Sequence, residues 1–195
     1  MTDVSAIAAC LRRGGVALLP TDTVYGLAAL PTSDAAVDRL FALKRRPRTR
    51  NLPVMIASRD QLAAMDARIS GAASRLLASA FMPGPLTLAL GVGPDAPAWL
   101  EGRSEIAVRM PDHALMLAVL RETGPLFVTS ANAHGLATPE SLRDALAQLD
   151  GVPEIAIDGG VLQTVPSTLV NCNVTPPAIE RVGAVDESAI WNILA

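Results

Sequence analysis

Two patterns of apolar residues alternate along the chain. Short apolar runs bounded by Pro, Gly or polar clusters predict buried strands at 16–20, 52–57, 86–92, 105–110, 126–131, 154–160 and 167–173. Apolar residues spaced three and four apart predict helices at 5–13, 34–46, 70–81, 114–122 and 141–149, with a short helix from 186. The alternation of strands and helices predicts an α/β fold.

Length and composition limit what this fold can be. With 195 residues, of which 50% are hydrophobic, one globular domain spanning 1–195 is expected. The sequence shows neither the roughly 18 apolar residues of a membrane span nor the apolar run of a signal peptide, so we expect a soluble, cytoplasmic protein that contacts no membrane. Aromatic residues make up only 3% of the chain, which argues against single-strand binding by base stacking. Both cysteines, Cys10 and Cys172, are expected in the core.

The cationic residues are concentrated in one segment. Lys44 is the single lysine of the chain, and it begins a run to Arg50 in which five of seven residues are cationic. Without these five residues the net charge falls from -3 to -8, which favours a local anion site over a surface that coats nucleic acid. The alternative is a solvated helix end, where cations face the negative end of the helix dipole.

Further polar and cationic side chains follow the predicted strands, at the positions where open α/β sheets hold their ligands. Ordinary turns and helix caps would also account for several of them. The candidate site residues are Thr21, Thr23, Lys44, Arg46, Arg109, Ser130, Asn132, Ser167 and Arg181.

This set is rich in donors for phosphate and carboxylate oxygens, but it offers no nucleophile with an evident base. The two standard glycine motifs for phosphate are absent from the sequence, and the two histidines, His113 and His134, do not suggest a metal cage. The residues suit catalysis that positions two substrates and neutralises charge while a phosphoryl group is attacked. Any Mg²⁺ would then be held mainly by the nucleotide's phosphates, with no metal site in the protein.

Six segments of the chain carry a family resemblance. They are PTDTVYGLAAL, LFALKRRP, FMPGPLTLAL, IAVRMPDH, TSANAHG and VPSTLV, in this order. Together they resemble the YrdC-like threonylcarbamoyl-AMP synthase family over nearly the whole chain. The resemblance implies a single α/β domain with a twisted mixed sheet flanked by helices and a concave, positively charged cleft. It also implies a nucleotidyltransferase that makes threonylcarbamoyl-AMP and pyrophosphate from L-threonine, bicarbonate and ATP, for threonylcarbamoyladenosine at position 37 of tRNA.

The resemblance also assigns roles to residues. It implies catalytic roles for Lys44 and Arg46, which match the family's lysine and arginine signature. Ser130 and Asn132 match its serine and asparagine signature, and Thr21 and Thr23 match threonines expected near the amino-acid substrate. The nucleotide side is assigned Arg109, Ser167 and Arg181. Because Lys44 is predicted at a helix end, we expect it to be partly exposed, so that Lys44→Ala removes activity without unfolding the protein.

Several departures from the family pattern put individual nucleotide contacts in question. Asp22 stands where many relatives have Glu, Ile56 where a histidine would fall, and His134 where the usual turn has serine. The partners that the resemblance implies are a downstream tRNA threonylcarbamoyl-transferase complex and, by weak binding, RNA. The alternatives left open are a YrdC-like protein that binds double-stranded RNA or ribosomes, and an enzyme of another carbamoyl-adenylate.

Overall fold

A mixed sheet forms the centre of the fold in the computed structural model, which describes residues 3–195. Its strands are β1 (Ala17–Leu19), β2 (Gly26–Ala29), β3 (Val54–Met55), β4 (Ala67–Arg68), β5 (Leu86–Val92), β6 (Glu105–Arg109), β7 (Leu126–Ser130), β8 (Ile155–Ala156), β9 (Thr168–Asn171) and β10 (Ala178–Arg181). The helices are α1 (Val4–Arg12), α2 (Asp34–Leu43), α3 (Gly71–Leu77), α4 (Ala114–Thr123), α5 (Leu142–Gln148) and α6 (Glu187–Leu194). Short 3₁₀ helices lie at Arg59–Met65 and Ala98–Leu100.

The strand order is β10-β9-β5-β6-β3-β7-β2-β1-β8, and β4 pairs with β5 at the side of this path. The pairs β1 with β8, β3 with β6 and β5 with β9 are parallel, and the other pairs are antiparallel. The predicted α/β fold with a mixed sheet is therefore confirmed.

Apolar residues are buried on both faces of the sheet. One cluster includes the buried residues of α1 and α4, such as Ile7 and Leu120. The larger cluster includes those of α2 and α3 and residue Ile190 of α6. Cys10 and Cys172 are both buried, as predicted. Across residues 3–195, every helix is too short or too polar to cross a bilayer.

Helix α2 shows how local sequence sets the position of the site. The side chain of Ser33 accepts a hydrogen bond from the amide of Ala36 (3.3 Å) and caps the first turn. The helix ends at Lys44, its C-cap, and Arg45 then adopts a left-handed backbone with φ 50°. Pro47 follows and cannot continue the helix. The predicted change from helix to loop at Lys44 is therefore confirmed.

Several elements differ from the sequence prediction, which did not include the short strands β4 and β10 and placed a longer strand at β8. The run 52–57 contributes only the two-residue strand β3, and α3 ends at Leu77 rather than at residue 81. Strand β2 was not predicted, because its sequence continues directly from the polar cluster after β1. It pairs antiparallel with β1, with Leu19 opposite Gly26, so that residues 20–25 form a tight connection between the two strands.

Candidate active site

A cavity of about 530 Å³ opens along β5, β6, β7 and β9 and beneath the loop that follows α2. Its volume is within the range of small-molecule sites. Seven of the nine candidate residues line it, namely Thr21, Thr23, Arg46, Arg109, Ser130, Ser167 and Arg181. The other two, Lys44 and Asn132, do not line it but hydrogen-bond to Ser130, which does. The fold thus brings together residues that are up to 160 positions apart in the sequence.

The charged residues of the lining are almost all cationic. Among the described residues the lining contains one acidic side chain, Glu105. The cationic side chains of the lining are Arg46, Arg50, Arg103, Arg109 and Arg181. Arginine presents several N–H donors in a plane, which suits phosphate and carboxylate groups. This composition supports the predicted anion site.

Thr21 organises the loop between β1 and β2. Its hydroxyl donates to the carbonyl of Val24 (2.6 Å) and accepts from the amides of Thr23 and Val24 (both 3.1 Å). Thr21 and Thr23 are each 2% exposed, and their hydroxyls lie 3.2 Å apart. The bonds of Thr21 hold the turn closed, and Thr23 is thereby fixed with its hydroxyl towards Arg109.

Arg109 connects this loop to the rest of the cavity. Its Nη1 donates to the hydroxyl of Thr23 (2.8 Å), Nη2 to Oδ1 of Asp22 (2.7 Å) and Nε to the carbonyl of Gly84 (3.0 Å). Burial lowers the pKa of Arg109, and the carboxylate of Asp22 opposes that shift. Oδ2 of Asp22 is buried without a hydrogen-bond partner in residues 3–195. Within the described part of the chain, Arg109 thus supplies the only charge-assisted hydrogen bond of Asp22.

Ser167 and Arg181 form a second polar group on the cavity wall. Nη2 of Arg181 donates to the carbonyl (2.8 Å) and the hydroxyl (3.2 Å) of Ser167. The hydroxyl of Ser167 lies 2.7 Å from that of Thr87, whose position in β5 also lines the cavity. Burial lowers the pKa of Arg181, and the charge of Arg109 lowers it further. An anion bound between these two arginines would relieve that repulsion.

The position of Lys44 differs from the sequence prediction of a partly exposed side chain. We expected it to be partly exposed, but it is only 2% exposed and is absent from the cavity lining. Its Nζ donates to the backbone carbonyls of Ser130 and Asn132 and lies 3.5 Å from Oδ1 of Asn132. These three oxygens use all the donors of an ammonium group. Lys44 therefore holds the turn after β7 in place from behind.

The turn at Ser130 and Asn132 is also closed by its own side chains. The hydroxyl of Ser130 donates to Oδ1 of Asn132 (2.5 Å), and Nδ2 of Asn132 donates to the carbonyls of Ala133 (3.1 Å) and Leu136 (2.8 Å). The proton of Ser130 is thus used within the turn, and its oxygen faces the cavity as an acceptor. Ser130 contacts the cavity directly, whereas Asn132 orients it.

The ionisation of Lys44 reflects its burial. Desolvation lowers its pKa from the usual 10.5 to about 7, and the charge of Arg46 acts in the same direction. The carbonyl oxygens around Nζ oppose the shift because they bind the charged form. Within residues 3–195, Lys44 forms no salt bridge with an acidic side chain. The charged form of Lys44 is thus stabilised by hydrogen bonds alone and not by a counter-charge within this range.

A pH dependence of stability follows from this shift. Between pH 7 and 10.5 the unfolded chain binds a proton at Lys44 that the folded chain has lost, so the free energy of unfolding rises with pH. The variant has no titrating group at position 44. We therefore expect the free energy of unfolding of wild type, minus that of Lys44→Met, to increase by about 1 kcal/mol per pH unit in this window. Urea unfolding of both proteins at pH 7, 8 and 9 measures it. A difference independent of pH would show that Lys44 keeps its usual pKa.

The structure also places residues that the sequence analysis did not select. Arg50 ends the cationic run that begins at Lys44 but was not among the candidate site residues, and it lines the cavity. Arg103 does so too, and its guanidinium lies 5.1 Å from the centre of the Phe127 ring. Glu105 lies two positions before Ala107 and four before Arg109 on β6, and all three line the cavity. The two-residue period of a strand was the signal that could have identified it.

The three departures from the family pattern have different structural outcomes. Asp22 pairs with Arg109, as described above. Ile56 is 1% exposed and belongs to the larger apolar cluster, so it contributes packing rather than a ligand contact. His134 lines the cavity, and its amide donates to the carbonyl of Lys44 (2.9 Å). Among residues 3–195, no group of three His, Cys, Asp or Glu side chains could hold a metal ion.

Comparison with known proteins gives consistent matches over nearly the whole chain. The family model Sua5_yciO_yrdC, described as telomere recombination, matches residues 9–183. Threonylcarbamoyl-AMP synthase of Bacillus subtilis (strain 168) is 37% identical over 195 residues, which cover 98% of this chain and 56% of the relative. The chain thus spans a little over half the length of that relative.

Solved structures give the same result for the fold. The crystal structure of P. abyssi Sua5 complexed with L-threonine matches with a TM-score of 0.89 and 34% identity, over 98% of this chain and 57% of that one. The crystal structure of E. coli YciO matches with a TM-score of 0.85 and 25% identity, over 96% of this chain and 92% of that one. The fold of the chain therefore agrees with the folds of these proteins.

Proposed function

Since this chain belongs to the Sua5/YciO/YrdC family, we propose that it is a threonylcarbamoyl-AMP synthase, which joins L-threonine, bicarbonate and ATP. The observation that carries the proposal is the gathering of seven predicted site residues around one arginine-lined cavity. A cavity of about 530 Å³ is large enough for a nucleotide and a small amino acid side by side. Its lining supplies donors for the anionic groups of all three substrates.

The reaction consists of two steps. The free amine of threonine attacks the carbon of bicarbonate, and loss of water leaves a carbamate. A carbamate oxygen then attacks the α-phosphorus of ATP, and the bond from that phosphorus to the bridging oxygen of pyrophosphate breaks. The carbon of the new mixed anhydride and both of its oxygens, the carbonyl oxygen and the oxygen that bridges to phosphorus, thus come from bicarbonate, and pyrophosphate leaves with the electron pair.

The arginines of the cavity supply the electrostatic part of the catalysis. Arg109 and Arg181 lie close enough for their charges to interact. Arg109 is buried, whereas Arg181 is exposed on β10 and is held by its hydrogen bonds to Ser167. Negative charge that develops on the phosphoryl oxygens during attack is stabilised by fixed cations that need no reorganisation. The hydroxyl of Ser167, held between Thr87 and Arg181, adds a neutral donor or acceptor at the same place.

The amino acid is proposed to bind between the loop of Thr23 and the turn of Ser130. Because Ser130 donates its proton to Asn132, its oxygen can accept a hydrogen bond from the amine or hydroxyl of threonine. Arg46 reaches over the cavity from the loop after α2, where its Nη2 donates to the carbonyl of Asn51 (3.0 Å). We assign Arg46 to the carboxylate of threonine or to a phosphate, both of which a guanidinium binds well.

The wider assignments belong to the same proposal. Mg²⁺ accompanies ATP and takes most of its oxygen ligands from the phosphates. The unstable adenylate passes to a transferase complex that places threonylcarbamoyl on adenosine 37 of tRNA. Direct RNA binding has less support, because the basic segment is not an open patch. Arg45 pairs with Asp150 at 3.1 Å, Arg48 pairs with Asp38, and Lys44 is buried.

The substrate requirement tests the proposed activity. We expect purified protein to release pyrophosphate from ATP only when L-threonine and bicarbonate are both present. A coupled pyrophosphate assay in bicarbonate-depleted buffer, with each substrate omitted in turn, measures this requirement. Release without threonine, or no release with all three substrates, would contradict the proposal.

A further inference from the structure

The acidic residue Glu105 lies in the arginine-lined cavity but has no role in the chemistry proposed above. Residues 105, 107 and 109 of β6 point to the same face of the sheet, because side chains alternate along a strand. Arg109 lies four positions after Glu105 on the strand, so their Cα atoms are roughly 13 Å apart. The cavity therefore has an anion-binding part around Arg109 and an acidic part around Glu105.

Two amide side chains hold the carboxylate of Glu105 in place. Nδ2 of Asn171 donates to Oε2 at 3.1 Å, and Nδ2 of Asn173 donates to the same oxygen at 3.3 Å. Within the described part of the chain, both of the hydrogen bonds that this carboxylate accepts end on Oε2. The second oxygen, Oε1, is thus available to a ligand in the cavity.

Small residues leave room beside this carboxylate. Ala89 pairs with Ala107 across β5 and β6, and Gly91 pairs with Glu105. A Cβ atom on Gly91 would come within 2.4 Å of Oδ1 of Asn173, so the glycine allows the asparagine to approach Glu105. The residues that pair with Ala107 and Glu105 on β5 are therefore both small.

The chemistry of the three substrates limits what Glu105 can bind. A carboxylate repels phosphate groups, so the triphosphate belongs near Arg109 and Arg181. A carboxylate that held the amine of threonine would favour its ammonium form, which cannot attack bicarbonate. The remaining donors are neutral and belong to the nucleoside: the ribose hydroxyls and the exocyclic amine of the base.

We propose that Glu105 is a specificity-determining residue that accepts a hydrogen bond from the nucleoside half of ATP, through Oε1. This inference rests on the proposed function. It places the nucleoside over Ala107 and directs the phosphates towards Arg109, so that one strand orients the whole nucleotide. A carboxylate is a common acceptor for ribose hydroxyls in nucleotide sites.

Equilibrium binding by calorimetry tests the inference without relying on turnover. Wild type, Glu105→Gln and Glu180→Gln are each titrated with ATP, 2′-deoxy-ATP, 3′-deoxy-ATP and purine riboside triphosphate. Glu180→Gln is the matched control, because Glu180 accepts from the same Asn171 amide (2.7 Å) but does not line the cavity. We expect Glu105→Gln to weaken ATP binding about tenfold, and Glu180→Gln to leave it unchanged.

The analogues identify the donor group. Wild type is expected to bind one of the three analogues about tenfold more weakly than ATP, and Glu105→Gln is expected to lose that discrimination. If wild type binds a deoxy analogue more weakly, the donor to Glu105 is the missing ribose hydroxyl. If it binds the purine riboside triphosphate more weakly, the donor is the exocyclic amine. The affinity for L-threonine is expected to stay the same in both variants.

Other results would overturn the inference. If Glu105→Gln and Glu180→Gln weakened ATP binding equally, Glu105 would act only by positioning Asn171. If Glu105→Gln left ATP binding unchanged, Glu105 would have no role in binding the nucleotide. In both cases ATP binding by wild type would leave the proposed function standing. If wild type itself bound no ATP, the proposed function would fail together with this inference.

Discussion

Replacing Arg109 with methionine is expected to lower the free energy of unfolding by about 3–5 kcal/mol and to abolish ATP binding. The side chains of Arg109 and Asp22 are 6% and 11% exposed, so their 2.7 Å ion pair is largely shielded from water. Removal of the guanidinium leaves the carboxylate of Asp22 buried without a counter-charge. It also leaves the hydroxyl of Thr23 and the carbonyl of Gly84 without their donor.

A double-mutant cycle with Asp22→Asn separates the ion pair from the other contacts. Asparagine at position 22 carries no charge. Arg109→Met should therefore lower the free energy of unfolding by less in the Asp22→Asn background than in wild type. The exposed residue Arg121 provides a control, since Arg121→Met should leave both stability and ATP binding unchanged. Denaturant unfolding and calorimetric titration measure the two effects. Additive costs for the two buried residues would contradict the ion-pair account.

Replacing Lys44 with methionine is expected to lower kcat/KM about a hundredfold, although Lys44 does not line the cavity. Methionine fills a similar volume but donates no hydrogen bond to the carbonyls of Ser130 and Asn132. The turn that carries Ser130 then loses its support from behind, and the Ser130 oxygen moves away from its position in the cavity. We expect a loss of stability of about 1–3 kcal/mol below pH 7, from the unpaired carbonyls.

Arg45→Met is the matched control for Lys44→Met. Arg45 is the next residue in the chain, but its side chain is 70% exposed and pairs with Asp150 at the surface. We expect it to retain wild-type activity. A Lys44→Met variant with wild-type stability and no activity would instead indicate that Lys44 contacts a substrate directly, as the family resemblance implied. Full activity in Lys44→Met would refute a positioning role.

The burial of Lys44 was not predictable from local sequence. Pro47 and the apolar stripe of α2 predicted the change from helix to loop near Lys44, although the last residue of the helix is Leu43 rather than residue 46. Cations at a helix end usually stay in water. The side chain instead reaches carbonyls of the turn after β7, which lies 86 residues further along the chain. That turn becomes a neighbour of α2 only through the sheet order, in which β7 pairs with β2. Long-range pairing of this kind leaves no mark in a short sequence window.

Other parts of the site were within reach of sequence reasoning. Arg109 and Ser130 were identified because they lie at the ends of apolar runs, where open sheets hold ligands. Glu105 was overlooked because it was counted as the start of the same apolar run. The strand period places it on the face of Arg109, so the residue could have been selected. Its partners Asn171 and Asn173 could not have been selected, because the sequence does not show that β9 and β6 lie on either side of β5 in the sheet.

The product formed from labelled bicarbonate tests the proposed synthase activity most directly. Wild-type protein is incubated with ATP, L-threonine and ¹³C-bicarbonate, and the nucleotide products are analysed by mass spectrometry immediately after the reaction. We expect threonylcarbamoyl-AMP that carries the heavy carbon in its carbamoyl group, formed in equal amount to pyrophosphate. A threonyl adenylate without the label, or ADP as the only new nucleotide, would contradict the proposed activity.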